Sequence, residues 1–369
     1  MTAYHVIRPG ESDQFRRCRR AWDLGARERR NYEPAEPVRV IDFDEAVRDA
    51  LDIYYFPGMW EWKREIVRPL AVRAFDKSMR RQRAEYAEHR ALSAEQERDW
   101  AERHRLGTRL LERYFGWAER LDRFTPVQVA AQFDIVIPDP DDPDAGLVAP
   151  DGRTIQYRVR IDMVVMDEHD LCWLAEHRVV SGPQWSDLDQ LILDEQSLTR
   201  SWAWQLGFLG RIEGTIHNEL RVAVPPPDGA PADQPNPDEP EPDGEPEITA
   251  VPAPSGIITQ HRGAYFRRTQ IPRGQMELER RGVAVAYETL DMVDPLVRLY
   301  PNPSTAHCAE CVYRAPCVAM TQGLDEQPIL DTAYRKRVRE DFELGRLGSV
   351  WGFVPETHRV ADHRPPGKQ

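Results

Sequence analysis

The chain has 369 residues, 41% hydrophobic and 30% charged, an ordinary balance for a protein with a core in one large domain or two smaller ones. No run approaches the ~20 apolar residues a membrane span needs, and the start lacks a basic then apolar leader, so the expectation is a cytoplasmic chain with no membrane partner. The net charge of -13 does not exclude a polyanionic partner: residues 226–250 hold eight acids and no base, while basic clusters such as Arg16-Arg17-Cys18-Arg19-Arg20 and Arg267-Arg268 lie elsewhere.

In chain order, apolar spacing through Phe15, Cys18, Ala21-Trp22 and Leu24 predicts an amphipathic helix over residues 10–31 with an arginine-rich outer face. A second helix is expected over 42–56, ending at Pro57-Gly58, and long helices with short turns from Trp60 to about Arg123. The character changes at Thr125-Pro126. Val127–Pro138 has strand composition, a Pro/Asp/Gly turn cluster follows, and Thr154–Met166 and Leu171–Val180 read as strands of a hairpin about Asp167-Glu168-His169-Asp170. Leu188–Ile212 is expected to be helical and His217–Val224 a strand. Pro225–Pro254, rich in proline and acids, is expected to be a solvent-exposed, disordered insertion, since it offers little apolar surface to offset ordering. A strand over Ile257–Arg268 and a helix over Gln275–Tyr300 complete an α/β reading, with a small mixed sheet flanked by helices and a helical insertion. The corresponding regions are 1–124, 125–300, a cysteine segment at 301–325 and a tail at 326–369.

Two constellations carry chemistry. Cys308, Cys311 and Cys317 fall within ten residues, two of them at CxxC spacing, and can converge on a metal or cluster with a fourth ligand from elsewhere. Zinc, with four cysteines or with His307, competes with iron–sulfur because thiolates serve both. Disulfides are disfavoured in a reducing compartment, and Cys172, in mid-strand, reads as a small buried hydrophobe. The second constellation is Asp162 in one strand and Glu176-His177-Arg178 in the next. Two hard oxygen ligands suit Mg²⁺ or Mn²⁺, with Arg178 beside them. A four-residue turn sets Asp162 against Ala175, one place from Glu176, so a bulge or longer turn is expected.

Together these features resemble the PD-(D/E)XK superfamily, specifically RecB-like exonucleases that carry an iron–sulfur cluster, of the CRISPR-associated and phage types. Phe15-Arg-Arg-Cys18-Arg-Arg-Ala-Trp22 looks like the family's first cysteine element, and Cys308, Cys311 and Cys317 look like the second. The resemblance covers roughly residues 10–320. It implies a restriction-endonuclease-like core, a 4Fe-4S cluster on Cys18, Cys308, Cys311 and Cys317, Mg²⁺ or Mn²⁺ on Asp162 and Glu176, and DNA as partner; it says nothing of protein partners. Gln196 matches the start of the family's Gln-xxx-Tyr helix.

The departures are chemical. Arg48 stands where the family has a histidine, Val159 where it has glycine, Arg178 where it has lysine and Arg200 where it has tyrosine. Arginine stays protonated and makes forked contacts to phosphate, so Arg48, Arg178 and Arg200 predict an anion-binding site. They are equally able to pair with Asp162 and Glu176 in the place of a metal. The expected activity is a metal-dependent DNA exonuclease with Asp162, Glu176, Arg178 and Gln196 in the site and Arg48 and Arg200 contacting DNA. The alternatives are a catalytically inactive member that binds DNA or a protein with the same groove, and a structural zinc protein.

Overall fold

The sequence alternates between helical and extended blocks, and the computed structural model, which describes residues 4–182, 184–208, 210–222 and 246–337, arranges them as a mixed α/β fold. The chain enters through β1 (Tyr4–Ile7), α1 (Pro9–Arg17), α2 (Arg19–Gly25) and β2 (Tyr32–Pro34). The single helix expected over 10–31 is two helices, because Cys18 is extended at φ -163 and ψ 106. Cys18 closes α1 by donating its N–H to the Gln14 carbonyl and opens α2 by accepting from the Trp22 N–H. The break is stabilised from outside: the Arg20 N–H, an orphan of the new first turn, donates to the Tyr300 carbonyl.

Three helices follow, α3 (Phe43–Tyr54), α4 (Arg64–His89) and α5 (Ala94–Leu121). Asp42 caps α3 by accepting from the Glu45 N–H, and Ser93 with Gln96 forms a capping box on α5. The apolar faces of these helices, through Val47, Leu51, Phe75, Leu111 and Phe115, pack on one face of the main sheet.

The strands are β3 (Phe124–Val129), β4 (Gln132–Val136), β5 (Thr154–Arg160), β6 (Met163–Asp167) and β7 (Cys172–Val180), then α6 (Leu188–Ile192), α7 (Glu195–Phe208) and β8 (Gly214–Arg221), then β9 (Glu247–Ala253), β10 (Gly256–Arg262) and β11 (Phe266–Pro272). The expected small sheet is larger than its sequence suggested: β3-β6-β7-β8-β11-β10-β9 form seven strands, with β7 and β8 parallel. A separate three-stranded sheet runs β1-β5-β4. Two segments expected to be continuous strands change sheets. Val127–Pro138 breaks at Ala130, whose φ is 49, and Thr154–Met166 breaks at Ile161-Asp162. The breaks are stitched together, with the Ala130 N–H donating to the Asp162 carbonyl and the Ile161 N–H to the Ala131 carbonyl. Asp162 therefore sits at the corner where the chain passes between sheets.

The stretch 257–268 is likewise a hairpin, β10 and β11. Of the expected insertion 225–254, residues 225–245 lie outside the described residues, whereas Glu247–Ala253 is β9, an exposed edge strand paired along its length with β10. The C-terminal part comprises α8 (Gln275–Val293), α9 (Thr305–Ala309), α10 (Arg314–Thr321), α11 (Gln327–Ala333) and β12 (Tyr334–Lys336). α8 is shorter than the expected 275–300. Residues 327–336, assigned to a tail, form α11 and β12, and β12 pairs antiparallel with β2. No described helix is long and apolar enough to cross a membrane.

Candidate functional site

The hairpin β6–β7 sets the register of the site. Its loop is Glu168-His169-Asp170, three residues, with Asp170 in the left-handed region at φ 59. The Asp167 N–H donates to the Leu171 carbonyl, and the ladder runs Met166 against Cys172 to Met163 against Ala175. A three-residue loop ending in a left-handed residue is a regular hairpin closure. It shifts the pairing by one place from the four-residue turn, so Asp162 follows Met163 to a position beside Glu176 without any bulge in β6 or β7. The parallel neighbour continues the row: Glu176 pairs with His217 on β8. Laterally paired residues point to the same face, so Glu176 and His217 lie side by side.

Glu176 is 1% exposed and sits between two guanidinium groups. Arg200 Nη1, from α7, is 2.7 Å from Oε1, and Arg178 Nη2 is 3.1 Å from Oε2. Burial works against the charge of Glu176, but Arg200 and Arg178 outweigh it and hold the carboxyl down at about 2. Arg178 also contacts Asp194, which lies just ahead of α7 and accepts from the Gln196 N–H at 3.2 Å. Asp162 is 8% exposed and accepts from the His177 N–H at 3.1 Å. The arginines thus pair with the acid, as the sequence allowed, but with Glu176 and Asp194 more closely than with Asp162.

A third acid completes this corner. Asp52, on α3, is 3% exposed and 3.5 Å from Arg160. Burial raises its carboxyl to about 8; Arg160 opposes the rise, and the charges of Asp162 and Asp49 add to it. The sequence reading missed Asp52. The available signal was an acid among Ala46, Val47, Ala50, Leu51 and Ile53, the buried residues of α3.

The opposite face carries a polar network beneath the helices. His177 stacks on Tyr55 with ring centroids 5.6 Å apart, and its Nδ1 lies 3.0 Å from Asn218 Nδ2. Asn218 donates to the Tyr114 hydroxyl at 2.7 Å, and that hydroxyl is 2.7 Å from the Tyr55 hydroxyl. Burial pushes His177 down to about 4, so it is neutral around pH 7. This network fixes the strand position from which the His177 N–H reaches Asp162.

The other expected residues divide. Arg48, on α3, is near enough to Asp52 and His177 to act on both electrostatically, and its Nε is buried without a hydrogen-bond partner. Gln196 is not joined to the acids. Its side chain is exposed and donates to Asp13 Oδ2 at 2.7 Å, so its place is on the α1–α7 contact. The reason is register: Gln196 stands four residues before Arg200, and the side chain that turns inward onto Glu176 is Arg200.

The four expected cysteines come from separate elements. Cys18 stands at the α1–α2 break, Cys308 on α9, Cys311 in the following turn and Cys317 on α10, all partly buried and free. Burial raises the Cys311 thiol, a hydrogen bond from the backbone at Tyr313 opposes this, and Cys18, Cys317 and Cys308 are close enough to raise it further. Cys18 and Cys311 pack with Leu24, Tyr32, Tyr313 and Leu330. Arg20 Nη1 is 3.7 Å from Cys317 Sγ. In number and softness four thiols are the donor set of an iron–sulfur cluster or a zinc ion. The set of three metal-ligating groups with donor atoms all within 4.8 Å of one another, among the described residues, is Glu176, Asp194 and His217, so the thiols are more widely spaced than that. Cys172 stands apart on β7, its thiol raised by burial and by Asp167.

No protein-family model matches the chain, and no curated protein matches it.

Proposed function

We propose that the chain is a DNA-processing protein of the RecB-like nuclease type, with a restriction-endonuclease-like core and a structural 4Fe-4S cluster on Cys18, Cys308, Cys311 and Cys317. The observation that carries the reading is the register of the β6–β7 hairpin, which brings Asp162, at the corner between two sheets, onto the His177 N–H one residue from Glu176, near Asp52 and the arginines. The four cysteines, drawn together from opposite ends of the described chain, support it independently.

In kind, the carboxylates fit a hard divalent ion: Asp162 retains an oxygen not engaged by His177, and Glu176 is already deprotonated. Asp162 and Glu176 would hold Mg²⁺ or Mn²⁺, which would supply Lewis-acid polarisation of a phosphodiester and a lowered pKa for an attacking water. Arg178, a third exposed, exchanges its carboxylate partners for a phosphate oxygen. Arg200 remains on Glu176, and Arg48 supplies a second cation near the corner.

A second reading rests on a specific observation, the double ion pair on Glu176. If the guanidinium groups stay, the groove binds DNA without cutting it. The deciding experiment is cleavage and binding by protein purified without oxygen, with Mg²⁺ and with Mn²⁺. Cleavage that disappears in Asp162→Ala while DNA binding persists supports the nuclease. Binding without cleavage, with activity appearing in Arg178→Lys combined with Arg48→His, supports the second reading. Strong cleavage retained by Asp162→Ala means that the active site lies elsewhere.

A further inference from the structure

We propose a second divalent-cation site on the far side of Glu176 from Asp162, formed by Glu176, Asp194 and His217, with Arg178 as its displaceable occupant and Mn²⁺ preferred over Mg²⁺. β8 is buried along its whole length, yet it carries Thr215, His217, Asn218, Glu219 and Arg221. Several polar groups around His217 are matched. Arg273 Nε donates to Thr215 Oγ1, Asn218 donates to Tyr114, and Arg267 donates to Glu219 Oε2 at 2.6 Å. His217 is fully buried, and its Nδ1, like Asn218 Oδ1 and Arg221 Nε on the same strand, has no partner; of these three residues only His217 also has a ring nitrogen close to the carboxylates of Glu176 and Asp194. A buried polar atom left unpaired is costly, and here the unpaired atom belongs to an imidazole lying against two carboxylates, a donor set that a cation would complete.

Its other nitrogen, Nε2, is 3.3 Å from Thr215 Oγ1. That hydroxyl accepts from Arg273 Nε, and a metal ion on Nδ1 would select the tautomer in which His217 Nε2–H donates to it as well. A ligand histidine is usually held in this way, through a hydrogen bond from its second nitrogen. The cross-strand register puts Glu176 beside it, and the turn into α7 brings Asp194, so a donor atom from each of the three lies within 4.8 Å of the others. An imidazole with two carboxylates favours Mn²⁺ over the harder, water-retaining Mg²⁺. Arg178 bridges Glu176 and Asp194, and its position at the rim gives it a route into solvent. A cation then meets two carboxylates, with Arg200 still balancing part of their charge.

The test is Mn²⁺ binding to the full chain, purified without oxygen and followed by the paramagnetic signal of free Mn²⁺. Mn²⁺ is a poor partner for thiolates, which keeps the cysteines out of the measurement. Arg178→Ala should tighten this binding by roughly tenfold or more, equivalent to ~1.4 kcal/mol of removed competition. Asp194→Asn and His217→Gln should each remove one Mn²⁺ from the binding stoichiometry, and Asp162→Asn should leave that one in place. Asp194 is at the rim, so its variant tests the site even if His217→Gln fails to fold. Unchanged Mn²⁺ binding in Asp194→Asn, or no binding even in Arg178→Ala, overturns the proposal. Loss of binding in Asp162→Asn with Asp194→Asn unaffected also overturns it, and assigns the ion to the Asp162 side. Because the nuclease reading is judged by cleavage and its dependence on Asp162, either proposal can fail without the other.

Discussion

At the residue scale, Asp52 and Glu176 show one environment driving two carboxyls in opposite directions. Both are buried. Glu176 has two arginines in contact and is held at about 2, whereas Asp52 has one arginine at 3.5 Å and two acids nearby, and rises to about 8. A raised carboxyl favours the fold fully below its ordinary pKa of 3.8, and that contribution is lost as pH rises toward 8. Asp52→Asn, neutral at every pH, should therefore match the wild type near pH 4 and exceed it increasingly up to pH 8, as chemical denaturation will show. A constant difference would mean that Asp52 is ionised throughout. Arg200→Ala tests the other carboxyl. It strips one cation from an ion pair whose acid is 2% exposed, and should cost roughly 3–5 kcal/mol of stability. Arg200→Ala combined with Glu176→Gln should recover much of that loss, because no uncompensated charge remains.

At the element scale, function depends on small interruptions in regular structure. The three-residue hairpin loop moves Asp162 one place relative to a four-residue turn, and a one-residue slip would send the neighbouring side chains to the other face. Asp170 sustains the loop in a left-handed conformation at φ 59, which Gly tolerates and a β-branched residue does not. Asp170→Gly should leave stability nearly unchanged, whereas Asp170→Val should lower it by roughly 1–2 kcal/mol. The break at Cys18 is the second interruption. Neither helix can continue through an extended residue, and the break puts that cysteine among Cys308, Cys311 and Cys317. If they hold the proposed cluster, iron chelation should raise hydrogen exchange in residues 9–34 and 305–336 while β6–β8 stay protected. Uniform loss of protection would show that the cluster supports the whole fold and not one end of it.

At the scale of the whole molecule, protein contacts already join the two ends of the described chain. β2 pairs with β12, Arg30 contacts Glu326 at 2.9 Å, and the Tyr313 hydroxyl donates to the Tyr32 carbonyl at 2.6 Å. The pH profile also belongs to this scale. Burial lowers His177 to about 4 and His217 to about 3. Their contribution, made by staying neutral, is complete above the ordinary histidine pKa of 6.5 and is lost as pH falls toward 4 and 3. Glu176 acts in the same direction below 4.5. Between about pH 4 and 6.5 Asp52 opposes this loss; below pH 4 it no longer does, and stability should fall steeply there. A denaturation series in which His217→Gln removes part of the acid-side slope will check the assignment.

Composition and local pattern determined the helical blocks, the strand-rich centre, the cysteine spacing and the candidate acids, because periodicity, turn residues and metal-ligand spacing are local properties. α3 and α5 could be read in this way, since each has its own side-chain cap and apolar face. Three matters were decided only in the tertiary structure. The changes of sheet at Ala130 and Asp162 depend on two strand breaks bonding to each other, which neither segment encodes alone. The inward place of Arg200 rather than Gln196 depends on which turn of α7 lies against β7. His217 entered the site through parallel pairing between strands 41 residues apart, Glu176 against His217, a distance over which the sequence carries no register. The strand residues were legible; their neighbours were set by how the sheet closes over its buried charges.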